Sequence, residues 1–290
     1  MMFATAPRRR LSFLAILTIL STFVLSGITT AAHADEIMDR VNSGKSIRIG
    51  FANEVPWAYP GENQKPLGFV NAITMGVLKS MGYTNIEPVV TDWGGLIPGL
   101  KANRFDVITG GMYIMKNRCE NVNFSEPIGV FGECFIVPKG NPKGLGSYDD
   151  IKTKNAVIVT GAGYSTIENA KRAGVPAGNI MTVPGNSEIL AAVKAGRADA
   201  GGMTYFSALH LSRGSGGAVE ATDPSLNPEW TFNWVGVGFR KADTEFLTAF
   251  NTALKAYLGS DEMMKAVQEY GYGKSQLPGD VTTAYVCENR

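Results

Sequence analysis

Residues 92–118, DWGGLIPGLKANRFDVITGGMYIMKNR, contain the pattern that decides the fold. Leu96, Ile97 and Leu100 recur at helical spacing, which predicts a short helix. The run 107–109 (VIT) is β-branched, as in a strand covered on both faces. The glycine pair 110–111 then allows the backbone either to turn tightly or to approach another group closely. The stretch therefore predicts a helix, a buried strand and a loop, which is one unit of an α/β domain.

Aromatic and cationic side chains flank the predicted strand. Trp93 precedes the helix, and Tyr113 and Arg118 follow the strand. In α/β domains, ligands bind beyond the carboxyl ends of the strands. We therefore expect this stretch to form half of a binding cleft.

A short internal repeat indicates that the unit occurs twice. Residues 101–106 (KANRFD) match residues 194–199 (KAGRAD), and each match is followed shortly by Gly-Gly-Met, at 110–112 and at 201–203. Chance is the alternative for a match of six residues. If the repeat is structural, the chain folds into two similar lobes.

The remaining elements predict how the lobes are divided along the chain. A turn-rich link at 138–142 follows an apolar strand, and a strand at 231–239 is expected to cross back. We predict lobe 1 from residues 35–137 and 237–290 and lobe 2 from residues 138–236. The expected fold class is α/β, with a central mixed sheet flanked by helices in each lobe and two hinge strands between them.

The N-terminal segment predicts a secretory signal peptide. Arg8–Arg10 precede an apolar run from Leu11 to about Ile28, and Ala32–Ala34 form a small-x-small cleavage site. The alternative is an uncleaved membrane anchor, since the run could just span a bilayer. We expect cleavage after Ala34 and a periplasmic protein, with Sec and twin-arginine export both open.

The charge of the mature chain argues against nucleic-acid binding. Removing residues 1–34 takes away three arginines and no acid, which leaves 24 basic and 26 acidic residues and a net charge of −2. A weakly acidic chain does not favour binding to nucleic acid or to an anionic membrane surface.

The three cysteines, Cys119, Cys134 and Cys287, allow at most one intramolecular disulfide. An exported protein can keep such a bond. The sequence does not fix the pairing. We favour Cys119–Cys287, which would close the C-terminal tail onto the first lobe, over Cys119–Cys134 and over three free thiols.

The sequence contains no motif for cofactor, metal or catalytic chemistry. His210 is the one histidine of the mature chain, there is no Gly-x-Ser-x-Gly elbow, and the cysteines have no CxxC spacing. The turn at 161–163 resembles a dinucleotide-binding turn, but Thr166 stands at the third glycine position. We therefore expect no cofactor, no metal and no enzyme activity.

Several motifs together resemble the polar amino-acid family of solute-binding proteins of bacterial ABC importers. The motifs are 54–57 (EVPW), 68–69 (GF), 96–100 (LIPGL), 104–106 (RFD), Arg118, 124–127 (FSEP) and 239–241 (FRK). The resemblance implies a two-lobed binding protein, expected to be a monomer, that closes on a small ligand and delivers it to an inner-membrane permease. Within the family the likeness is greatest to members that bind ectoine and hydroxyectoine, through residues 52–57, 97–100 and the three cysteine positions.

The chain departs from the family where α-amino acids are usually held. Tyr113 and Met115 stand where the family usually has ligand-binding threonines, and Thr204 stands where it usually has an aspartate for the α-ammonium group. The arginine for a carboxylate, Arg118, is kept. The resemblance therefore implies a small zwitterionic compatible solute such as ectoine, with a polar amino acid as the alternative.

Each predicted ligand residue has a purely structural alternative. Arg118 would bind a carboxylate or else pair with Glu120 at the surface. Trp57, Trp93 and Tyr113 would box a cation or else pack in the core. Glu54 would accept N–H groups of the ligand or else be a solvated turn acid.

The second lobe offers the start of a helix. Gly163 and Ser165 lie in a turn before the predicted helix, whose backbone N–H groups would stabilise an anion. The alternative is a plain cap, because Ser165 and Glu168 have the spacing of a capping box. Thr204 completes the predicted set. An enzyme related to prephenate or arogenate dehydratases is the other function class, and Glu54 is its candidate acid or base.

Overall fold

The structure is a computed structural model that describes residues 35–290. The predicted signal peptide and its cleavage site, residues 1–34, lie outside the described residues. None of the helices of residues 35–290 is both long and apolar enough to cross a bilayer.

The described residues contain helices and strands throughout. The strands are β1 Ile47–Phe51, β2 Tyr59–Pro60, β3 Pro66–Leu67, β4 Ile86–Val90, β5 Val107–Tyr113, β6 Asn123–Phe124, β7 Gly129–Phe131, β8 Glu133–Pro138, β9 Ile158–Gly161, β10 Ile180–Val183, β11 Ala200–Thr204, β12 Val219–Ala221 and β13 Asn233–Phe239. The α-helices are α1 Glu36–Asn42, α2 Phe69–Ser80, α3 Leu96–Lys101, α4 Lys116–Cys119, α5 Tyr148–Thr153, α6 Ser165–Arg172, α7 Asn186–Lys194, α8 Tyr205–Gly214, α9 Thr244–Tyr257, α10 Asp261–Val267 and α11 Thr283–Asn289.

The strands form two larger sheets with matching order. The first has the order β4-β1-β5-β13-β6, with β7 also paired to β13, and the second has the order β10-β9-β11-β8-β12. In each sheet three parallel strands are followed by one long antiparallel strand, β13 in the first and β8 in the second. This arrangement confirms the predicted α/β fold with two mixed sheets.

The chain passes between the sheets twice. It leaves the first sheet after β7 and enters the second at β8, and it returns between β12 and β13. The predicted lobe boundaries at 137/138 and 236/237 fall within or beside these strands and stay a prediction. We propose that the lobes meet a few residues earlier on each pass, at Gly132 and just before Asn233, because strand pairing changes sheets there.

The internal repeat has a physical reason in both sheets. Asp106 donates its N–H to the Arg48 carbonyl (2.8 Å), and its carboxylate accepts the Arg48 N–H (2.9 Å). Asp199 makes the same two bonds with Val157, at 2.8 and 2.9 Å. In each repeat the aspartate therefore fixes the register between two parallel strands, β1 with β5 and β9 with β11.

The helix end before each aspartate also repeats. Asn103 and Gly196 occupy the left-handed region, with φ of +55° and +67°. The following arginine N–H then bonds back to a carbonyl of the last helical turn, Arg104 to Gly99 and Arg197 to Ala192. Asn and Gly are the residues that adopt this conformation most readily, which explains the Asn/Gly pair at this point of the repeat.

The glycine pair 110–111 is not the turn that the sequence allowed. It lies inside β5, which runs on to Tyr113. A Cβ at Gly110 would come within 2.9 Å of Leu96, and one at Gly111 within 2.5 Å of the Trp57 ring. The second alternative therefore holds, since these glycines let the backbone approach an aromatic ring and an aliphatic side chain.

The C-terminal helices pack on the first sheet. Phe246, Phe250 and Leu254 of α9 and Met263 of α10 are buried in one core cluster with the apolar face of α2. Both helices fall within residues 237–290, which were predicted to belong to the first lobe. A second and a third cluster fill the two faces of the second sheet.

A disulfide joins the C-terminal tail to the loop after β5. Cys119 of α4 and Cys287 of α11 are bonded, with a Cα–Cα distance of 5.9 Å, and Cys134 is free and buried in β8. This is the pairing that the sequence analysis favoured. The bond closes a loop of 168 residues, so it restricts the unfolded chain strongly.

Replacing Cys287 with Ser is expected to lower the free energy of unfolding by about 2–5 kcal/mol, as for other native disulfides. Denaturant unfolding of the two proteins without reductant measures the difference. Adding reductant to the wild type should give the same loss, whereas the variant should not respond. Equal midpoints for oxidised and reduced wild type would contradict the expectation.

Candidate functional site

A cavity lies between the segments that follow the strands of the two sheets. The space within it, counted together with the part that is open to solvent, is about 420 Å³. It is lined by Glu54, Trp57, Trp93, Gly110, Gly111, Tyr113, Arg118, Tyr164, Ser165, Thr166, Met203, Thr204 and Ser207. The structure thus brings together all of the predicted ligand residues, with Gly163 in contact with two of them and not itself in the lining.

Arg118 is the cation of the cavity. It lies in α4 after β5, is 8% exposed, and donates from Nη1 to the Tyr113 carbonyl (3.0 Å) and from Nη2 to the Gly163 carbonyl (3.0 Å). Burial lowers the pKa of Arg118 to about 10, and the negative charge of Glu133 opposes this shift. The guanidinium remains charged at neutral pH and is not paired with Glu120, the alternative considered from the sequence.

Glu133 is a buried acid behind the cavity that sequence reasoning missed. It is the first residue of β8 and is fully buried. Its carboxylate accepts hydrogen bonds from the Tyr148 hydroxyl (2.7 Å), the Asn169 amide (2.8 Å) and the Ser165 hydroxyl. Burial raises the pKa of Glu133, and these three donors and Arg118 oppose the rise. An acid in the middle of the apolar run 131–137 was the available signal.

Glu54 is the acid of the cavity. It follows β1, is 6% exposed, and accepts hydrogen bonds from the Tyr164 hydroxyl and the Asn186 amide. Burial raises the pKa of Glu54 to about 7, the Tyr164 hydrogen bond lowers it, and the charge of Glu188 raises it further. The alternative of a solvated turn acid therefore does not describe its surroundings.

The three predicted rings differ in their degree of burial. Trp57 and Tyr113 are both 3% exposed and belong to the core cluster of the first sheet as well as to the cavity wall. Trp93 is half-buried, and its indole N–H donates to the Gly163 carbonyl (3.2 Å). Trp57 and Tyr113 therefore both pack in the core and line the cavity, so the two alternatives considered from the sequence do not exclude each other. Trp93 is the ring whose position depends least on the core.

The helix start at Ser165 differs from the predicted capping box. Tyr164 is the N-cap residue of α6, and no side chain caps the helix. The Ser165 hydroxyl donates to Glu133 instead, because the buried carboxylate lies within reach and needs a donor. The predicted cap is therefore wrong, although Ser165 does line the cavity.

Thr204 ends β11 and holds a position without charge. Its hydroxyl accepts the Trp57 indole N–H (3.0 Å) and donates to the Ser207 hydroxyl (3.1 Å). Glu54 is the one acidic side chain among the residues that line the cavity. The end of the cavity at Thr204 is therefore neutral.

No group of three or more His, Cys, Asp and Glu side chains in residues 35–290 is arranged to hold a metal ion. The cavity-lining residues that were not predicted as ligand residues are Gly110, Gly111, Tyr164, Thr166, Met203 and Ser207. Asn186 contacts Glu54 from outside the lining. An aromatic residue directly after a glycine turn was the signal available for Tyr164.

Comparison with known protein families gives one match over most of the chain. Residues 47–273 match the family model of the bacterial extracellular solute-binding proteins, family 3. A probable periplasmic-binding protein of an amino-acid ABC transporter from Sinorhizobium fredii is 34% identical over 277 residues, which cover 93% of this chain and 91% of that protein.

Solved structures match most of the chain. The crystal structure of EhuB in complex with hydroxyectoine has a TM-score of 0.80 and 28% identity, and the match covers 88% of this chain and 99% of that one. An ancestral amino-acid-binding protein described as a precursor of cyclohexadienyl dehydratase has a TM-score of 0.70 and 25% identity, over 81% of this chain and 99% of that one.

Glu54 is expected to make the stability of the ligand-free protein depend on pH. Because its pKa in the folded protein is raised to about 7, ionising it in the folded state is unfavourable, and this group costs stability as pH rises from its unfolded pKa towards 7. Relative to Glu54→Gln, the wild type should lose about 3 kcal/mol between pH 4 and pH 8. Thermal unfolding of both proteins across this range measures the difference, and parallel curves would contradict the burial of an ionisable Glu54.

Proposed function

Because the chain belongs to family 3 of the bacterial extracellular solute-binding proteins, we propose that its cavity captures a small zwitterionic compatible solute such as ectoine or hydroxyectoine. Membership makes the chain an extracytoplasmic solute-binding protein that works with an ABC transporter of the amino-acid type. The identity of the solute is our proposal. It rests on the charges and rings of the cavity.

The observation that carries the proposal is a buried guanidinium and a buried carboxyl group that both lack a counter-ion. Arg118 and Glu54 both line the cavity, and neither takes part in an ion pair with any residue of the described range 35–290. A buried charge is costly unless it is paired. A zwitterion supplies a carboxylate for Arg118 and a cation for Glu54 at once.

The form of the cation follows from the rings and from Thr204. A primary ammonium group is usually held by a carboxylate and several oxygen acceptors, whereas the Thr204 end of the cavity is neutral. Trp57, Trp93 and Tyr113 offer aromatic faces, which attract a cation whose charge is spread over a flat group. Ectoine carries such a charge, an amidinium, on a carboxylated ring. That EhuB was solved with hydroxyectoine supports this assignment.

A polar amino acid is the second candidate ligand. The S. fredii relative is described as a probable amino-acid-binding protein, and Arg118 would hold an amino-acid carboxylate equally well. An α-ammonium group would then have Glu54 as its acceptor, a carboxylate that already accepts from Tyr164 and Asn186. Glu54 is the one acidic side chain of the lining, and the Thr204 end offers no second carboxylate to a compact ammonium group, which makes the amino acid the weaker candidate.

An enzyme is the third candidate, favoured by one observation. A carboxyl group with a pKa of about 7 in a cavity is suited to general acid–base chemistry, and one structural relative is named as a precursor of a dehydratase. That relative is itself described as a binding protein. We propose that this chain binds its ligand without turnover.

The remaining partners follow from this function. We propose that a signal peptide ending at Ala34 directs the chain to the periplasm, that it acts as a monomer, and that it delivers its ligand to an inner-membrane permease. Hydrogen bonds join the two proposed lobes across the cavity, as in a closed cleft, and they are made by Trp57, Trp93, Arg118 and Glu54. Ligand entry therefore requires the lobes to separate.

A thermal-shift screen of osmolytes and amino acids tests the assignment. A ligand that binds only the folded state raises the melting temperature, so ectoine and hydroxyectoine should raise it and glutamine, arginine and cystine should not. Calorimetry then gives the affinities, and analysis of the recovered ligand checks for turnover. Tight binding of an α-amino acid without binding of ectoine, hydroxyectoine or a betaine would refute the proposed ligand, and a chemically altered ligand would favour the enzyme.

Trp93 is the ring best suited to mutation, because it contributes least to the core. Trp93→Ala should weaken ectoine binding about 2- to 30-fold, the range expected for loss of one aromatic contact with a desolvated cation. Trp93→Phe should recover most of the affinity, because the ring face matters more than the bond from the indole N–H to Gly163. Calorimetric titration measures both, and equal losses in the two variants would contradict a cation–π role.

A further inference from the structure

Both hydrogen bonds to the Glu54 carboxylate come from the segments of the second sheet. Oε1 accepts from the hydroxyl of Tyr164, the N-cap residue of α6, and Oε2 accepts from the amide of Asn186, the first residue of α7. Glu54 itself follows β1 of the first sheet. Each carboxylate oxygen is therefore held by a different helix start on the opposite side of the cavity.

The position of the Tyr164 ring is fixed by packing on two neighbouring residues. A Cβ at Gly161 would lie within 2.5 Å of the ring, so the glycine provides the space that the ring occupies. The ring also meets Trp93 edge-on, with centroids 5.5 Å apart and planes at 77°. Two independent contacts thus direct the hydroxyl at Glu54.

The charges around Glu54 leave it without a cation of its own. Within the described residues, no Lys, Arg or His side chain lies within 4 Å of its carboxylate. Glu188 of α7 is the other titratable acid whose charge acts on it. Burial and the adjacent acid raise the pKa of Tyr164 well above its usual range, so the phenol keeps its proton at neutral pH and can donate it to Glu54.

The lone pairs of Glu54 limit what else can bind there. An ionised carboxylate offers about four acceptor positions, two on each oxygen. Tyr164 uses one on Oε1 and Asn186 uses one on Oε2, which leaves one on each oxygen. Two parallel N–H groups match this remaining pair, as in the bidentate pairing of a planar cation with a carboxylate.

We propose that Tyr164 and Asn186 are positioning residues, which hold the Glu54 carboxylate for two N–H groups of an amidinium-type ligand and so select N–H cations over quaternary ammonium ions. This inference rests on the proposed function, since it assigns the Glu54 side of the same cavity. It adds two residues from the starts of helices α6 and α7 and a chemical reason for selectivity. Aromatic faces alone would accept a quaternary ammonium ion equally well.

The test compares Tyr164→Phe with the wild type for two ligands, ectoine with N–H groups and glycine betaine without them. Removing the hydroxyl should weaken ectoine binding roughly 3- to 10-fold, as for loss of one hydrogen bond, and leave betaine binding unchanged. Asn186→Ala should show the same selectivity. Tyr285→Phe, at a tyrosine that is 55% exposed, is the matched control and should behave as wild type.

The pH profile separates positioning from a general structural role. Since the Tyr164 hydrogen bond lowers the pKa of Glu54, Tyr164→Phe should raise that pKa. The loss of ectoine affinity should then be smallest at pH values above both pKa values, where Glu54 is ionised in both proteins, and should grow as the pH falls through them. A merely structural defect would weaken both ligands equally at every pH. Equal losses for ectoine and betaine with an unmoved pH profile would overturn the proposal.

A measurement without ligand keeps the two proposals distinguishable. A ¹³C NMR titration of the Glu54 carboxyl in the ligand-free wild type and in Tyr164→Phe should show a higher midpoint in the variant. If the wild type binds neither ectoine nor betaine, the proposed function fails while this titration still tests the positioning role. An unchanged midpoint would overturn that role whatever the ligand is.

Discussion

The chemistry of the cavity depends on one constraint: the guanidinium of Arg118 is buried, which is costly, and no carboxylate contacts it. Two backbone carbonyls, Tyr113 of the first sheet and Gly163 of the second, accept its N–H groups. Glu133 lies behind them, fully buried and held by three donors, and its charge offsets part of the cost. The guanidinium is thus kept charged at the cavity wall by neutral dipoles and a remote acid, so its field stays available to an anion in the cavity.

The two sides of the cavity are unlike in their chemistry although the two sheets are alike in strand order. The first sheet supplies both charges, Arg118 and Glu54, and the three rings that the sequence predicted. The second supplies neutral groups: the Gly163 carbonyl, the Tyr164 and Thr204 hydroxyls and the Asn186 amide. Glu133, an acid of β8 in the second sheet, does not line the cavity, and its carboxylate accepts hydrogen bonds from Tyr148 of α5 and from Ser165 and Asn169 of α6. The internal repeat therefore gives both sheets the same backbone arrangement, but it does not determine which charged or neutral groups each side presents to the cavity.

Much of the fold was predictable because its signals are local. The helix at 96–101, the strand from 107 and the paired Asp106 and Asp199 follow from periodicity, β-branched runs and a turn that favours Asn or Gly. The predicted cavity residues were also local, since they stand at strand ends, where α/β folds bind ligands. The role of the glycine pair could not be fixed in advance, because it depends on the Trp57 ring, which is more than fifty residues away in the chain.

The parts that were missed or wrong depend on contacts between distant segments. Tyr164 and Asn186 meet Glu54 across 110 and 132 residues of chain, and no periodicity records such a meeting. The predicted cap at Ser165 failed for the same reason: a buried carboxylate 32 residues earlier took its hydroxyl. Local spacing shows which hydrogen bonds a hydroxyl could make. Which of them forms depends on the tertiary fold, because a buried acceptor must be given a donor. In this cavity, the Ser165 hydroxyl therefore donates to Glu133 and does not cap α6. The Tyr164 side chain, which makes no capping bond although Tyr164 is the N-cap residue, donates to Glu54.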